Sequence, residues 1–251
     1  KQRRKIMAAR ILLALAFFLL WETAADRGWI DSFFFSSPSR LGRLFLSMWR
    51  DGSLFLHVGI TLTETLVSFA LVVVIGLAVS LLLWLSDSVF QVLEPYLVIL
   101  NSLPKSALAP LLIVWLGANS RTIIVAGMSV AIFGTILNLY TGFTETSREK
   151  IRLIYTLHGT KKDALTKVVL PSTVPMIISI MKVNIGLCLV GVVIGEFIGA
   201  RNGLGYLIIY GSQVFQLDLV ILSILILCLM AMLLYGGVTV AEKLYHRRQH
   251  A

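Results

Sequence analysis

Residues 147–171 read SREKIRLIYTLHGTKKDALTKVVLP, and the reading of this stretch decides the fold. It carries six Lys or Arg and two acidic residues between two long apolar runs, as a loop that leaves a membrane and returns would. Within it, Lys150 to Leu157 has the spacing of a short helix with Ile151, Ile154 and Leu157 on one face, and Gly159 breaks that helix. Thr160 and Asp163 stand at capping-box spacing for a second helix, whose apolar side is Leu165, Val168 and Val169. Pro171 is expected to stop it, because the residue before a proline, here Leu170, is disfavoured in the helical region.

The runs on either side have the length and composition of bilayer spans. The chain has 251 residues, 57% of them hydrophobic and 14% charged, with a mean hydropathy of +0.88. That balance lies outside ordinary soluble domains. A spanning helix needs about 20 mostly apolar residues. Stretches 66–85, 122–144 and 219–241 supply this length without a charge, whereas 6–25, 92–116 and 174–198 are interrupted by Arg10 and Glu22, by Glu94 and Lys105, and by Lys182 and Glu196. The expected fold is an all-α integral membrane protein of six spans (6–25, 60–85, 92–116, 122–144, 174–198, 219–241) forming one domain over 1–251. No small-residue cleavage site follows the first apolar core, which is therefore read as a span and not as a signal peptide.

The cationic residues orient the spans. With the N-terminus inside, Lys1, Arg3, Arg4, Lys5, Arg10, the basic residues from Arg148 to Lys167, and Lys243, Arg247 and Arg248 fall on the cytoplasmic side. Arg27, Arg40, Arg43, Arg50, Arg121 and Arg201 fall outside, so both termini and the 147–171 loop are expected in the cytoplasm. The net charge of +9 follows from the same rule, and without aromatics interleaved among the basic runs it does not point to nucleic acid. Cys188 and Cys228 lie in apolar runs, and the four histidines have no metal-ligand spacing. There is no GxxxxGK[ST] phosphate loop and no GxSxG, so neither ATP hydrolysis nor other enzymatic chemistry is expected of this chain.

Between the first two spans, Leu41, Leu44, Phe45 and Met48 share one face of a helix expected to lie on the outer surface with Arg43 and Arg50 toward headgroups. In the third span Asn101, Ser102 and Lys105 crowd around Pro104, with Pro110 six residues on. Irregular backbone at membrane depth belongs inside protein or beside a water-filled cavity, which marks a pathway segment; a kinked helix whose Lys105 snorkels to the interface is the alternative. Lys182 poses the same choice. Gly191, Gly195 and Gly199 bare one face of the fifth span for close helix packing, within the subunit or across a dimer. Glu196, one turn from the outer end, is either an intramembrane functional carboxylate or a cap or partner for Arg201.

The 147–171 stretch resembles the cytoplasmic coupling loop of ABC importer permeases, whose pattern is Glu-Ala-Ala, three residues, Gly, nine residues, Ile, one residue, Leu-Pro. Leu170-Pro171 match its end, Val168 takes the Ile slot, His158 the Gly slot, and Arg152, Leu153 and Ile154 replace Glu-Ala-Ala, so a contact made through that Glu does not carry over. Ser102-Leu103-Pro104-Lys105, Ala109-Pro110 and Leu116-Gly117 resemble the PxxALxPLxxxWxG segment of permeases for sulfonate, taurine, nitrate and vitamin precursors, and Glu196 with Gly203 to Ile208 resembles their AE…GLGYLI segment. The resemblance implies a type I importer permease that pairs, favouring a homodimer, with two cytoplasmic ATPase subunits carrying ATP and Mg, and with an external solute-binding protein. Ile154, Leu157, His158, Gly159, Lys161, Lys162, Leu165 and Pro171 are then expected to couple to the ATPase. Asn101, Ser102, Pro104, Lys105, Lys182 and Glu196 would serve the path of a small polar or anionic solute. An ion-gradient-driven secondary transporter is the alternative and would call for inverted repeats.

Overall fold

A computed structural model describes residues 2–249, and every regular element among them is helical. In order these are α1 (Gln2–Asp26), α2 (Ser32–Phe35), α3 (Pro38–Arg50), α4 (Ser53–Leu85), α5 (Asp87–Ser102), α6 (Lys105–Leu116), α7 (Ser120–Thr144), α8 (Arg148–Thr156), α9 (Lys161–Ala164), a π-helical segment Leu165–Val169, α10 (Leu170–Gly199), α11 (Leu204–Gln213) and α12 (Leu217–Gln249). Among the described residues four helical runs are long and apolar enough to cross a bilayer: 53–85, 120–144, 161–199 and 217–245. The pair α5–α6, bent by 95° at its break, makes a fifth if taken as one span. The expected span 6–25 falls in α1, several of whose side chains lie outside the described residues.

The bundle centres on α7, flanked by α4 and α10, and its interior is polar and small rather than greasy. Along α4 the inward stripe is Thr61, Glu64, Thr65, Ser68, Val72, Gly76 and Ser80, all buried, while Val74 and Leu82 face outward. Lipid solvates apolar side chains as well as protein does, so helices associate through close approach and hydrogen bonds. Ser68 Oγ donates to Glu64 O (2.7 Å) and also lies 3.0 Å from Ile124 O on α7, and Asn184 of α10 donates to Thr135 Oγ1 of α7 at 2.8 Å.

The expected amphipathic segment is α3, begun by Ser37 and Pro38 and ended before Gly52, whose φ of +79° suits glycine. Its apolar face lies on this subunit and not on lipid alone: Leu41 and Met48 are buried with Leu54, Leu219 and Leu222. Arg40 pins it further, pairing with Asp218 at the start of α12 at 2.8 Å.

One expectation fails at Pro171. The helix does not stop there: α9, the π-helical segment and α10 run on without interruption. Leu170 keeps helical angles (φ −56°, ψ −51°), and its N–H bonds Leu165 O in the wider i to i+5 register. That extra residue in the turn relieves the clash that proline imposes on the preceding helix, and Pro171, in the first turn of α10, has no N–H to satisfy.

Candidate functional site

The 147–171 stretch forms a bracket at one end of the bundle. α8 ends in paired bonds from Gly159 N to Ile154 O (2.9 Å) and from His158 N to Tyr155 O (3.0 Å), a left-handed helix stop. The left-handed residue is His158, at φ +60°, and not Gly159. Gly159 is needed for space instead, since a Cβ there would lie 2.9 Å from Ile154 O. Thr160 and Asp163 then close the expected capping box, each side chain bonding the other's backbone N–H.

The two faces of the bracket differ. Ile154 and Leu165, expected to face a partner, pack instead against the buried Trp84, Leu139 and Phe143 of the same chain. The ends of α4 and α7 cover what the sequence reading left uncovered. Lys161 is also engaged within the chain, 3.5 Å from Asp87 and over the Trp84 ring, whereas Lys162 is exposed. The apolar groups left open are Leu157, 70% exposed, with Leu153 and Tyr155.

A second feature is a cleft of about 180 Å³ between α5, α7 and α10. Its polar lining is Asn101, Asn138, Asn184, Thr135 and Ser179, set among Val130, Val183 and Leu187. Gly134 admits the amide of Asn101, whose Oδ1 would lie 3.1 Å from a Cβ there. Pro104 breaks the span as expected and deprives Leu100 O of its helical donor; Lys105 Nζ supplies one, at 2.6 Å, and lies over the Phe133 ring. Ser102 is exposed and bonds its own helix at Val98 O. Lys182 does not line the cleft: it is ion-paired with Glu242 of α12, the two side chains 17% and 21% exposed. No charged side chain lines this space.

Glu196 is fully buried, makes no ion pair with Arg201, and holds the start of α11. Its carboxylate accepts from Thr61 Oγ1 and from Gly205 N, both at 2.6 Å. Thr61 Oγ1 accepts Leu204 N at 2.8 Å, and His57 Nδ1 accepts Gly203 N at 3.0 Å, so α4 and α10 together satisfy the free donors of that helix end. Gly203 and Gly205 wrap the carboxylate closely: a Cβ on either would stand 2.4 or 2.7 Å from it. This is a positioning role, away from the cleft.

The glycine face packs against α6 and α7 of the same chain. A Cβ on Gly191 would meet Gly127 Cα of α7 at 2.8 Å, one on Gly195 would meet Ile123 and Ala126 at 3.2–3.3 Å, and one on Gly199 would meet Ile113 of α6 at 2.6 Å. The sequence reading passed over Glu64, Asn138 and Asn184. All three are polar residues inside apolar runs, and that alone marked them as costly and in need of a reason.

These features sit in a chain with clear relatives. Residues 72–249 match the family model of the binding-protein-dependent transport system inner membrane component. A probable ABC transporter permease protein of Haemophilus influenzae is 30% identical over 94% of this chain and 95% of its own length. The formylaminopyrimidine transport permease protein ThiX of Halalkalibacterium halodurans is 28% identical, over 78% and 77%. The taurine transport system permease protein TauC of Escherichia coli is 24% identical, over 89% and 83%. Among solved structures, the MetNI methionine ABC transporter in an inward-facing conformation superposes with a TM-score of 0.65 at 21% identity, over 73% of this chain and 91% of that one.

Proposed function

Because the chain belongs to the binding-protein-dependent transport system inner membrane components, the permease subunits of ABC importers, we propose that its 147–171 bracket is the seat of a cytoplasmic ATPase and its amide-lined cleft part of the solute path. Family membership sets the secondary-transporter alternative aside and leaves ATP hydrolysis to a separate subunit. The rest of the assembly follows as proposal: two permease copies, two ATPases holding ATP and Mg, an external binding protein, and both termini in the cytoplasm.

The observation that carries the reading is the two-faced bracket. Leu153, Tyr155 and Leu157 are offered outward while Ile154 and Leu165 are locked into the bundle. A partner gripping the outer face therefore moves the inner one, and α10 with it. His158, Gly159 and Pro171 shape the bracket, and Lys161 and Lys162 edge it; α10 carries Asn184 and Ser179 to the cleft. With Lys105 and Lys182 both engaged elsewhere, the cleft's own groups favour a polar solute that exchanges hydrogen bonds with amides and hydroxyls over one that needs a fixed counter-charge.

Leu157→Asp tests the seat. Leu157 is exposed in the isolated subunit, so insertion and thermal stability stay unchanged. Burying the new carboxylate against the ATPase costs about 2–3 kcal/mol, roughly a 50-fold loss of affinity. Undiminished co-purification with the ATPase and intact solute-stimulated hydrolysis would refute the assignment.

A further inference from the structure

Near the end of the bundle opposite the bracket, α4 and α10 bring two carboxyl groups together. Glu64 is only 3% exposed and Glu196 is fully buried, and they are the only buried glutamates among the described residues. Neither oxygen of Glu64 accepts a hydrogen bond of ordinary geometry from the chain. The polar side chains that face them are the Ser120 hydroxyl at the start of α7 and the carboxyl of Glu196. Ionised carboxylates are acceptors only. Two of them side by side and sealed from water repel each other with no donor between them, and a buried charge without a partner costs more than a lost hydrogen bond.

The surroundings leave one remedy. Arg201, in the turn after α10, and Arg121, on α7, are exposed, and neither makes an ion pair with these carboxyls. His57 of α4 uses its Nδ1 to accept Gly203 N, which only the neutral ring can do. Tyr206 of α11 lies against that ring and brings no charge. The sealed oxygens of Glu64 leave no room for an ion; a proton needs none. The donors present also say where it sits. Glu196 accepts through both oxygens, from Thr61 Oγ1 and from Gly205 N, each at 2.6 Å, as a carboxylate does. Glu64 has nothing to accept, and as the acid it has one O–H to give.

We infer that Glu64 keeps its proton at neutral pH and donates it to Glu196, so that the two carboxyls form a one-proton latch holding α4 and α10 to the Gly203–Gly205 turn at the start of α11. The carbon skeleton of Glu64 stands in the wall of a cavity of about 180 Å³ with Asn119, Ser120 and Asn202, which gives water a way to the pair once this end opens. Loss of the proton to that water turns the hydrogen bond into a contact between like charges, and the turn loosens. The folded chain thus holds one proton that the unfolded chain releases above the ordinary carboxylate range. Stability is therefore greatest at low pH and falls as pH rises until the pair has lost its proton. His57 acts in the opposite sense, because a charged ring could not accept Gly203 N.

The test uses the full-length permease in lipid nanodiscs, its glutamates labelled with carbon-13 at the side-chain carboxyl. Two quantities are read against pH: the infrared carbonyl band of protonated glutamic acid, and Tm. We expect one protonated glutamate per chain at pH 7 and none in Glu64→Gln, whose amide N–H takes the place of the O–H. From the ordinary carboxylate range upward, the wild-type Tm should fall relative to Glu64→Gln by about 3–5 °C per pH unit, a tenfold loss in the folding constant for each unit. The fall should end where the band disappears. Should Glu64→Gln not fold, the wild-type band decides by itself, since no other glutamate is buried among the described residues. Absence of a protonated glutamate at pH 7 overturns the inference, and so does a band that survives in Glu64→Gln. Equal pH dependence of Tm in the two proteins overturns the latch.

Discussion

Adding a single methyl group at Gly191 should loosen the whole bundle, whereas the same change five residues earlier should tighten it. The Cβ of Gly191→Ala would sit 2.8 Å from Gly127 Cα, 3.0 Å from Ala126 O and 2.7 Å from Val130 Cγ2. Carbon atoms rest at about 3.5–4.0 Å, so α7 and α10 must separate by roughly 1 Å. Val130 can turn away; the backbone of α7 cannot. Overpacking of this kind costs about 1–3 kcal/mol, and at about 2–4 °C per kcal/mol Tm falls by roughly 3–10 °C. Gly186, on the same helix, has open space where its Cβ would be. There alanine supplies only its helix preference, about 0.5–1 kcal/mol of stabilisation. Gly195→Ala, whose nearest atoms stand at 3.2–3.3 Å, should fall between the two. Thermal unfolding of the three variants in one detergent and in nanodiscs measures the series. If Gly191→Ala proves as stable as Gly186→Ala, the helices are not in contact as described and the subunit-internal assignment of the glycine face fails.

Lys182→Met leaves Glu242 buried without its partner and should lower stability by about 3 kcal/mol, while Lys182→Met with Glu242→Gln recovers most of it; additive losses in that double-mutant cycle would argue against the pair. His158→Gly removes a left-handed non-glycine residue at φ +60° and should stabilise the bracket by about 1 kcal/mol, read as slower hydrogen exchange at Gly159 N; faster exchange would contradict the helix stop. Gly205→Ala drives a methyl to within 2.7 Å of the Glu196 carboxylate and should displace the start of α11, detectable as lost protection of the amides from 203 to 205; unchanged protection would show that the carboxylate does not hold that turn.

Much of this architecture was legible because the bilayer imposes length and polarity rules that act residue by residue. The break at Pro104, the capping box at Thr160 and the amphipathic face of α3 all follow from local chemistry, and each is found. The misreadings involve what local pattern cannot hold. Leu170-Pro171 reads as a helix stop because the rule concerns one turn, whereas the chain absorbs the proline over five residues of wider helix. The faces of Ile154 and Leu165 were assigned correctly as apolar but to the wrong neighbour, since Trp84 and Phe143 are remote in sequence. Lys182 reads as pathway or interface for the same reason: its partner Glu242 lies 60 residues on. Glu64 and Glu196 show the limit most plainly. A carboxylate in an apolar run announces that something must offset it, but only the fold brings two together and gives one of them the Thr61 hydroxyl and the Gly205 amide.

The uninterrupted run from Lys161 to Gly199 has 39 residues. At about 1.5 Å per residue it is close to 60 Å long, twice the roughly 30 Å of hydrocarbon it crosses. Such a rod is a lever with its fulcrum in the membrane. A tilt of about 10° swings an end lying roughly 30 Å from the pivot through about 5 Å, the width of a small solute. Slight rotation at one end of the rod then gives a large excursion at the other. The five-residue wider turn at 165–169 is the compliant joint in that rod, so stiffening it, for instance by deleting one residue to restore the α-helical register, should change how far the Gly199 end travels for a given rotation at the Lys161 end.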